Sequence, residues 1–223
     1  VTLADLRTQV RIRLGGSSRQ DLISGDGLTA LDYWINFAVR ELAHTFRFPQ
    51  LERLDSSRTT STADAFVSIP SDAYAIRTVF DITNAVYLRP LPGGFEEYER
   101  TRVLSSDQGR PTHWVRQASS IYFKPRPNGA YGLRMLVQDE PATLAAPGDI
   151  PIIPEVWHDA IMLLAVRNGW NALDETSRAT AVEQGEYRAF LTRVRLPQAI
   201  ESHTRRPRGI RAWRGIRDRR LGI

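Results

Sequence analysis

Cysteine is absent from this chain. Its absence excludes a disulfide framework, a thiolate zinc site and a cysteine nucleophile, and it fits a reducing compartment. Lysine is nearly absent: Lys124 is the only one, so the 30 basic residues are otherwise all arginine. Long apolar runs are missing too. The longest uncharged one, AIMLLAV from Ala160 to Val166, falls far short of the ~20 residues that a membrane span needs. The opening stretch VTLADLRTQVRIRL is amphipathic and charged, unlike a secretory leader. The expectation is a soluble protein with no membrane anchor.

What is present is a globular composition: 223 residues, 42% hydrophobic and 25% charged. That length suits one elaborated domain or two small ones. The formal charge is +5 and is unevenly placed. Between Arg205 and Ile223, eight arginines and one aspartate make +7, so the remainder of the chain carries −2. A duplex-binding domain usually wears its basic patch on the folded surface. Here the attraction for polyanions or acidic protein resides in a peripheral arm.

Helical and strand-like stretches alternate in blocks. Leu3, Leu6, Val10 and Leu14 recur at helical spacing after a capping-box-like Thr2 and Asp5, and Gly15-Gly16 stops the run. A second helix is expected from about Leu28 to Phe46, with Leu31, Ile35, Ala38, Val39, Leu42 and Phe46 as its stripe. Pro49 ends it. From Ser56 to Gln138 the pattern changes to short β-like runs: SRTTST, AFVSI, RTVFDI, VYLRPL, THWVRQ, SIYFKP and GLRMLVQ. Turns fall at Thr83-Asn84 and Ala118-Ser119, and a short helix from about Phe95 to Leu104 interrupts the strands. A third helix, about Pro154 to Leu173, starts with Pro154 at N1 and buries Trp157, Ala160, Ile161, Leu164 and Trp170. A fourth, capped by Asp174, turns Val182, Ala189, Phe190 and Val194 inward before Pro197.

The resulting expectation is α+β: mainly a helical bundle of about four helices, with an antiparallel β insertion between helices two and three. An extended basic C-terminal arm completes it. The parts are 1–52 (helices one and two), 53–150 (β-rich insertion), 151–198 (helices three and four) and 199–223 (arm).

Chemistry is sparsely signposted. Two E-x-x-H sequences, Glu41 to His44 and Glu155 to His158, fall at one end of the expected bundle. Di-iron carboxylate bundles pair two such motifs with a glutamate from each of two further helices. Helix one has no glutamate, and Glu155 and His44 occupy helix ends that favour their charges anyway. There is no G-x-S-x-G, and LPGGF lacks the Lys-Ser/Thr of a P-loop. No catalytic residue, metal site or cofactor is therefore expected, and the chain does not read as an enzyme. Trp114, Tyr122 and Phe123 could form a base-stacking platform, but no basic cluster surrounds them in the sequence. They read instead as the buried face of the sheet.

The arm is the most informative segment. Arginines recur every third residue from Arg205 to Arg220, and Ile210, Trp213 and Ile216 repeat at the same interval. A period of three suits an extended or polyproline-type strand. Regular apolar anchors distinguish this segment from a merely solvated tail. Guanidinium groups pair bidentately with carboxylates or phosphates. The candidate partner-binding residues are Arg205, Arg208, Ile210, Arg211, Trp213, Arg214, Ile216, Arg217 and Arg220. Two readings follow: docking along a protein surface, or nucleic-acid binding through the arm.

The segments YLRPL, FEEYER, GRPTHWV, SIYFKPRP, LRMLVQDEP and IPIIPEVWHDAI, in this order, resemble the head–tail connector proteins of tailed bacteriophages. These are the adaptor and tail tubular proteins, and the resemblance runs from about Thr2 to Val194. It implies a structural virion protein without catalysis, sitting in the neck between capsid and tail after assembly in the host cytoplasm. It further implies a homo-oligomeric ring, typically a dodecamer, bound to the portal protein above and to a tail or nozzle/stopper protein below. DNA would pass through the channel without sequence-specific binding.

Overall fold

Thr2 caps α1 (Leu3–Arg13) in a complete capping box: its hydroxyl accepts from the Asp5 N–H, and the Asp5 carboxylate accepts from the Thr2 N–H at 2.9 Å. These Thr2 bonds hold the Asp5 carboxyl below its ordinary value. The other early amides of α1 are met from far along the chain. Leu3 N donates to the Asp149 carbonyl at 2.8 Å and Ala4 N to the Pro147 carbonyl at 3.0 Å. That loop is fixed by its own aspartate, whose side chain accepts from the Ala145 and Ala146 amides at 2.8 Å each and is thereby held low in pKa. The computed structural model describes residues 1–16, 26–62, 64–104 and 108–194.

Helix α2 (Asp26–Thr45) and helix α4 (His158–Ala172) form the centre of the helical part. Leu31, Ile35, Leu42, Ala160, Ile161 and Leu164 are all fully buried there, together with Leu3, Leu6 and Val10 of α1. Trp157 packs its ring against Phe46, Phe48 and Phe190, with centroids 4.6, 5.3 and 5.8 Å away. Gly169 allows close approach: a Cβ there would meet Leu14 Cδ1 at 2.7 Å.

Two helix starts differ from the expectation. Pro154 precedes a single 3-10 turn, Glu155–Trp157, and α4 begins only at His158. Asp174 has a left-handed φ of 58° and lies before the cap of α5 (Thr176–Ala181), which is Glu175. A π-helical turn, Val182–Tyr187, then carries the chain into a last helical stretch, 188–194. An extra residue per turn rotates the following side chains. Val182 and Phe190 consequently share the buried face, and Ala189, expected inside, is exposed.

The expectation of a mainly helical bundle of about four helices is overturned. Among the described residues the main strands form one seven-stranded sheet curled into a half-barrel. Its strands are β1 (Glu52–Thr59), β2 (Phe66–Ser68), β3 (Ala73–Asp81), β4 (Val86–Pro90), β6 (His113–Gln117), β7 (Ser120–Lys124) and β9 (Gly132–Asp139). The spatial order is β1-β9-β3-β4-β6-β7-β2. Two short strands, β5 (Gln108–Gly109) and β8 (Arg126–Pro127), make a separate parallel pair. Nor is the large sheet wholly antiparallel. Strands β4 and β6 run parallel, which requires a crossover, and α3 (Gly94–Leu104) supplies it. The segments expected as a small insertion thus build a sheet with a core of its own. Strand β9 alternates cleanly, with Leu133, Met135 and Val137 fully buried. They join Val79, Ile121 and Phe123 in a cluster separate from the helical one.

Two buried polar side chains tie the sheet and the segment that leaves it to helix α2. Asn36 of α2, only 6% exposed, donates to the Leu144 carbonyl at 2.9 Å and accepts from the Leu144 N–H at 2.7 Å. Gln138 of β9, 1% exposed, donates to the Ala43 carbonyl at 2.8 Å and accepts from Arg77. Nearby, the His44 ring stacks on Tyr74 with centroids 3.8 Å apart.

Two stability outcomes follow. Leu164→Ala, at the buried centre of α4, should cost about 2–5 kcal/mol in a denaturant melt; a cost near zero would mean that α4 is not central. Asn36→Leu conserves bulk but strands both backbone groups of Leu144. It should cost about 1–3 kcal/mol for each group left unpaired, and a neutral result would show that the clasp is dispensable.

Candidate functional site

The two E-x-x-H motifs do not assemble a metal centre. Glu41 is committed to Arg167 of α4, which donates to both its carboxylate oxygens at 3.1 and 2.5 Å. His44 Nε2 lies 3.0 Å from the Glu140 carboxylate. Glu155 points to solvent, 82% exposed at its side chain. His158 is buried, with Nε2–H donating to the Ile153 carbonyl at 2.9 Å. No group of three or more metal-ligating side chains occurs among the described residues.

All nine arm positions singled out above lie outside the described residues. The described chain ends at Val194, which is buried against the helical core. Close to it, Val156 is exposed beside Glu155 and Asp159 in a shallow cleft that Phe190, Arg193 and Val194 also line.

The insert aromatics are buried as expected for Trp114 and Phe123. Tyr122 is half-buried and has a different partner. It sits on the other face of β7 and contacts Phe66 (5.5 Å), Phe95 (5.2 Å) and Tyr98 (5.2 Å) between ring centroids. Phe95 and Tyr98 both come from α3, so this cluster pins the crossover helix to the sheet. Burial pushes the Tyr98 phenol above its ordinary pKa, against the opposing pull of Arg102 and Arg126.

Beside this cluster is a cavity of about 360 Å³. Helix α3 presents Tyr98, Thr101 and Arg102 to it, spaced i, i+3, i+4 and therefore on one face. The β6–β7 pair supplies His113 and Lys124, which are register partners, and the β5–β8 pair supplies Gln108 and Arg126, likewise partners. Leu91, Phe123 and Pro125 complete the apolar part of the wall. None of the described lining residues is a carboxylate. The cavity is absent from the sequence reading, because its walls come from segments up to about 35 residues apart that only the parallel crossover brings together.

A second surface is the outer face of the sheet. Leu54 pairs with Leu136, Leu136 with Thr78, and Phe80 with both Arg134 and Tyr87. Leu54 and Tyr87 are about two-thirds exposed, at 64% and 66%. The sheet's edges, by contrast, are poor templates for strand addition. Strand β1 is interrupted by a bulge between Asp55 and Arg58 and carries buried Asp55; β2 is three residues long.

The sequence profile of the SU10 adaptor protein family matches residues 1–212, and the chain belongs to that family of phage head–tail adaptors. No curated protein matches the chain. Membership makes it a structural phage adaptor and a component of the virion neck. No helix among the described residues is long and apolar enough to cross a membrane.

The aromatic pin is open to test. Tyr122→Ala removes three ring contacts, each worth about 0.5–1.5 kcal/mol beyond area burial. Amide exchange should accelerate throughout α3 while α4 stays protected; unchanged protection of α3 would show that the helix is held by other contacts.

Proposed function

We propose that the chain forms a ring in the virion neck that joins the portal vertex to the tail and lets DNA pass. The observation that carries this reading is the family match, which continues past the folded body to residue 212 and so takes in Arg205, Arg208, Ile210 and Arg211 of the arm. Charge placement supports it. A body at −2 lets a polyanion slide without adhering, while the +7 carried by the arm segment is available to a partner. The exposed Leu54–Leu136 and Phe80–Tyr87 rows favour association through a face, since both sheet edges are blunted. On this reading the arm docks on the portal protein or on the neighbouring subunit against it, with Ile210, Trp213 and Ile216 as anchors. A tail or nozzle/stopper protein binds the opposite side. Ordering of the arm on contact makes assembly sequential. The role calls for no catalytic step and no cofactor.

The arginine periodicity sustains one alternative, nucleic-acid binding by the arm. Deleting Arg205 to Ile223 should leave the body folded and abolish stable attachment to portal rings in electron micrographs. Ile210, Trp213 and Ile216 replaced together by Ser should weaken attachment with all charge retained. Attachment by the truncated chain would place the contact elsewhere. A salt slope approaching −0.9 per phosphate contacted, together with normal attachment of the Ser variant, would favour the nucleic-acid alternative.

A further inference from the structure

The chain leaves its described body at a cleft. Val194, the last described residue, lines it together with Glu155, Val156, His158, Asp159 and Phe190. Two chemistries meet there. Val156 is 61% exposed, and Ile150 and Ile152, just before it in the chain, are exposed as well. Large aliphatic side chains left open on one short segment mark a contact surface. The polar lining is rich in acceptors. The Glu155 and Asp159 side chains are 82% and 66% exposed, and their ion-pair neighbours, the Val1 amine at 3.9 Å and Arg193 at 3.8 Å, stand beyond hydrogen-bond distance. His158 adds a buried acceptor to the wall. Its Nε2–H is spent on the Ile153 carbonyl, so Nδ1 carries a lone pair, and that nitrogen has no partner among the described residues.

Two features name the occupant. The first is chemical match. Acceptors beside exposed aliphatic groups suit a segment that brings donors and apolar anchors together, and the arm repeats arginine with Ile210, Trp213 and Ile216 at intervals of three. The cavity beside α3 and the outer sheet face near Arg134 have no carboxylate among their described lining residues, so neither matches a basic segment. A neighbouring hollow shares Asp159 and Phe190 with the cleft, but its other acid, Glu186, is already bonded to Arg13. The second feature is the path of the chain. Residues 195–209, 15 in all, separate Val194 from Ile210. A tether of that length spans at most about 50 Å. It keeps the anchors near the cleft at an effective concentration that a free partner does not match in dilute protein.

We propose that this cleft is the docking site of the chain's own arm, which occupies it until the arm meets a partner. Guanidinium groups of the arm bond Glu155 and Asp159, and apolar side chains from the set Ile210, Trp213 and Ile216 lie against Val156. This rests on the reading of the arm as a docking segment with apolar anchors. It adds an intramolecular competitor to that reading, since attachment then exchanges the arm from cleft to portal. The isolated chain suffices to test it, so its failure and the failure of portal docking by the arm are separate results.

The absence of cysteine allows a disulfide test. The full-length chain is made as Val156→Cys/Ala212→Cys, which keeps all three anchors, and as Thr78→Cys/Ala212→Cys, Thr78 being an exposed residue of the outer sheet face. Each is oxidised in dilute solution, and non-reducing electrophoresis separates disulfides within one chain from those between chains. Such a bond needs the two Cα atoms within about 7 Å. Position 156 shares the cleft with Val194, where the arm segment begins, so proximity alone favours its disulfide and the comparison is made within each pair. Replacing Ile210, Trp213 and Ile216 together by Ser should slow the intrachain 156/212 disulfide about tenfold and leave the 78/212 disulfide unchanged. Glu155→Gln with Asp159→Asn, both at exposed side chains, should slow the 156/212 disulfide about fivefold. Three results would overturn the proposal: the Ser replacements slowing neither pair or both alike, the acid replacements having no effect, or a 156/212 disulfide formed only between chains, which would assign the cleft to the arm of a second copy.

Discussion

Two buried side-chain amides tie the sheet and the segment that leaves it to helix α2. The helical core and the sheet core are separate clusters; Gln138 of β9 reaches across to the Ala43 carbonyl of α2, and Asn36 of α2 clamps the backbone of Leu144, a helical-core residue on the segment that leaves β9. Each is nearly fully buried, and each bonds at both ends of its amide. A buried amide that bonds in only one geometry acts as a register pin. Unlike a hydrophobic contact, it loses its bonds on a small slide, and each bond lost leaves a buried polar group unpaired. The orientation of sheet on helices is therefore specified by geometry at a few atoms. Within the sheet, Arg53 of β1 bonds Asp139 at the end of β9 and Asp72 before β3.

The clasp has a consequence for the whole chain order. Leu144 lies just after β9, and Asp149 and Pro147 lie a few residues further on, where their carbonyls receive the first amides of α1. One connecting segment thus ties the end of the sheet to α2 and then to the start of the chain before α4 begins. Helix α1 contributes only one buried face of modest length, and an isolated helix of eleven residues is marginal in water. Its stability is borrowed from this loop and from the Leu14–Gly169 contact with α4.

Most individual elements were legible in the sequence. The runs VYLRPL, THWVRQ, SIYFKP and GLRMLVQ all fall on observed strands, because β-branched and aromatic residues alternate there with little ambiguity. The stop at Gly15-Gly16 and the turn near Thr83-Asn84 were legible too. The left-handed φ in the turns fell on Gly15, Gly16, Ala85 and Ala118. What periodicity does not encode is pairing. Nothing local says that β9 lies between β1 and β3, or that α3 carries the chain to a parallel neighbour, so the strand pattern alone implies a sheet smaller and simpler than the real one. The π-helical turn was illegible for a related reason: of the four positions expected inward, Val182, Phe190 and Val194 are buried, and Ala189 alone is turned out by the extra residue in the turn. The basic cavity left one trace in the sequence, a solitary lysine, which has no evident meaning until its neighbours are known.

The distribution of charge then acquires a common logic. Arginine is spent in two ways on this protein. On the body most guanidinium groups are neutralised locally, as Arg7 is by Asp32, Arg53 by Asp139 and Arg167 by Glu41. Such pairs rigidify the surface and present little net field. In the arm, eight arginines face a single aspartate within the segment, so their charge remains available to something outside it. An adaptor must hold unlike neighbours at the same time. Local neutralisation of most body arginines limits the long-range field, and complementarity discriminates only where charge is left unpaired.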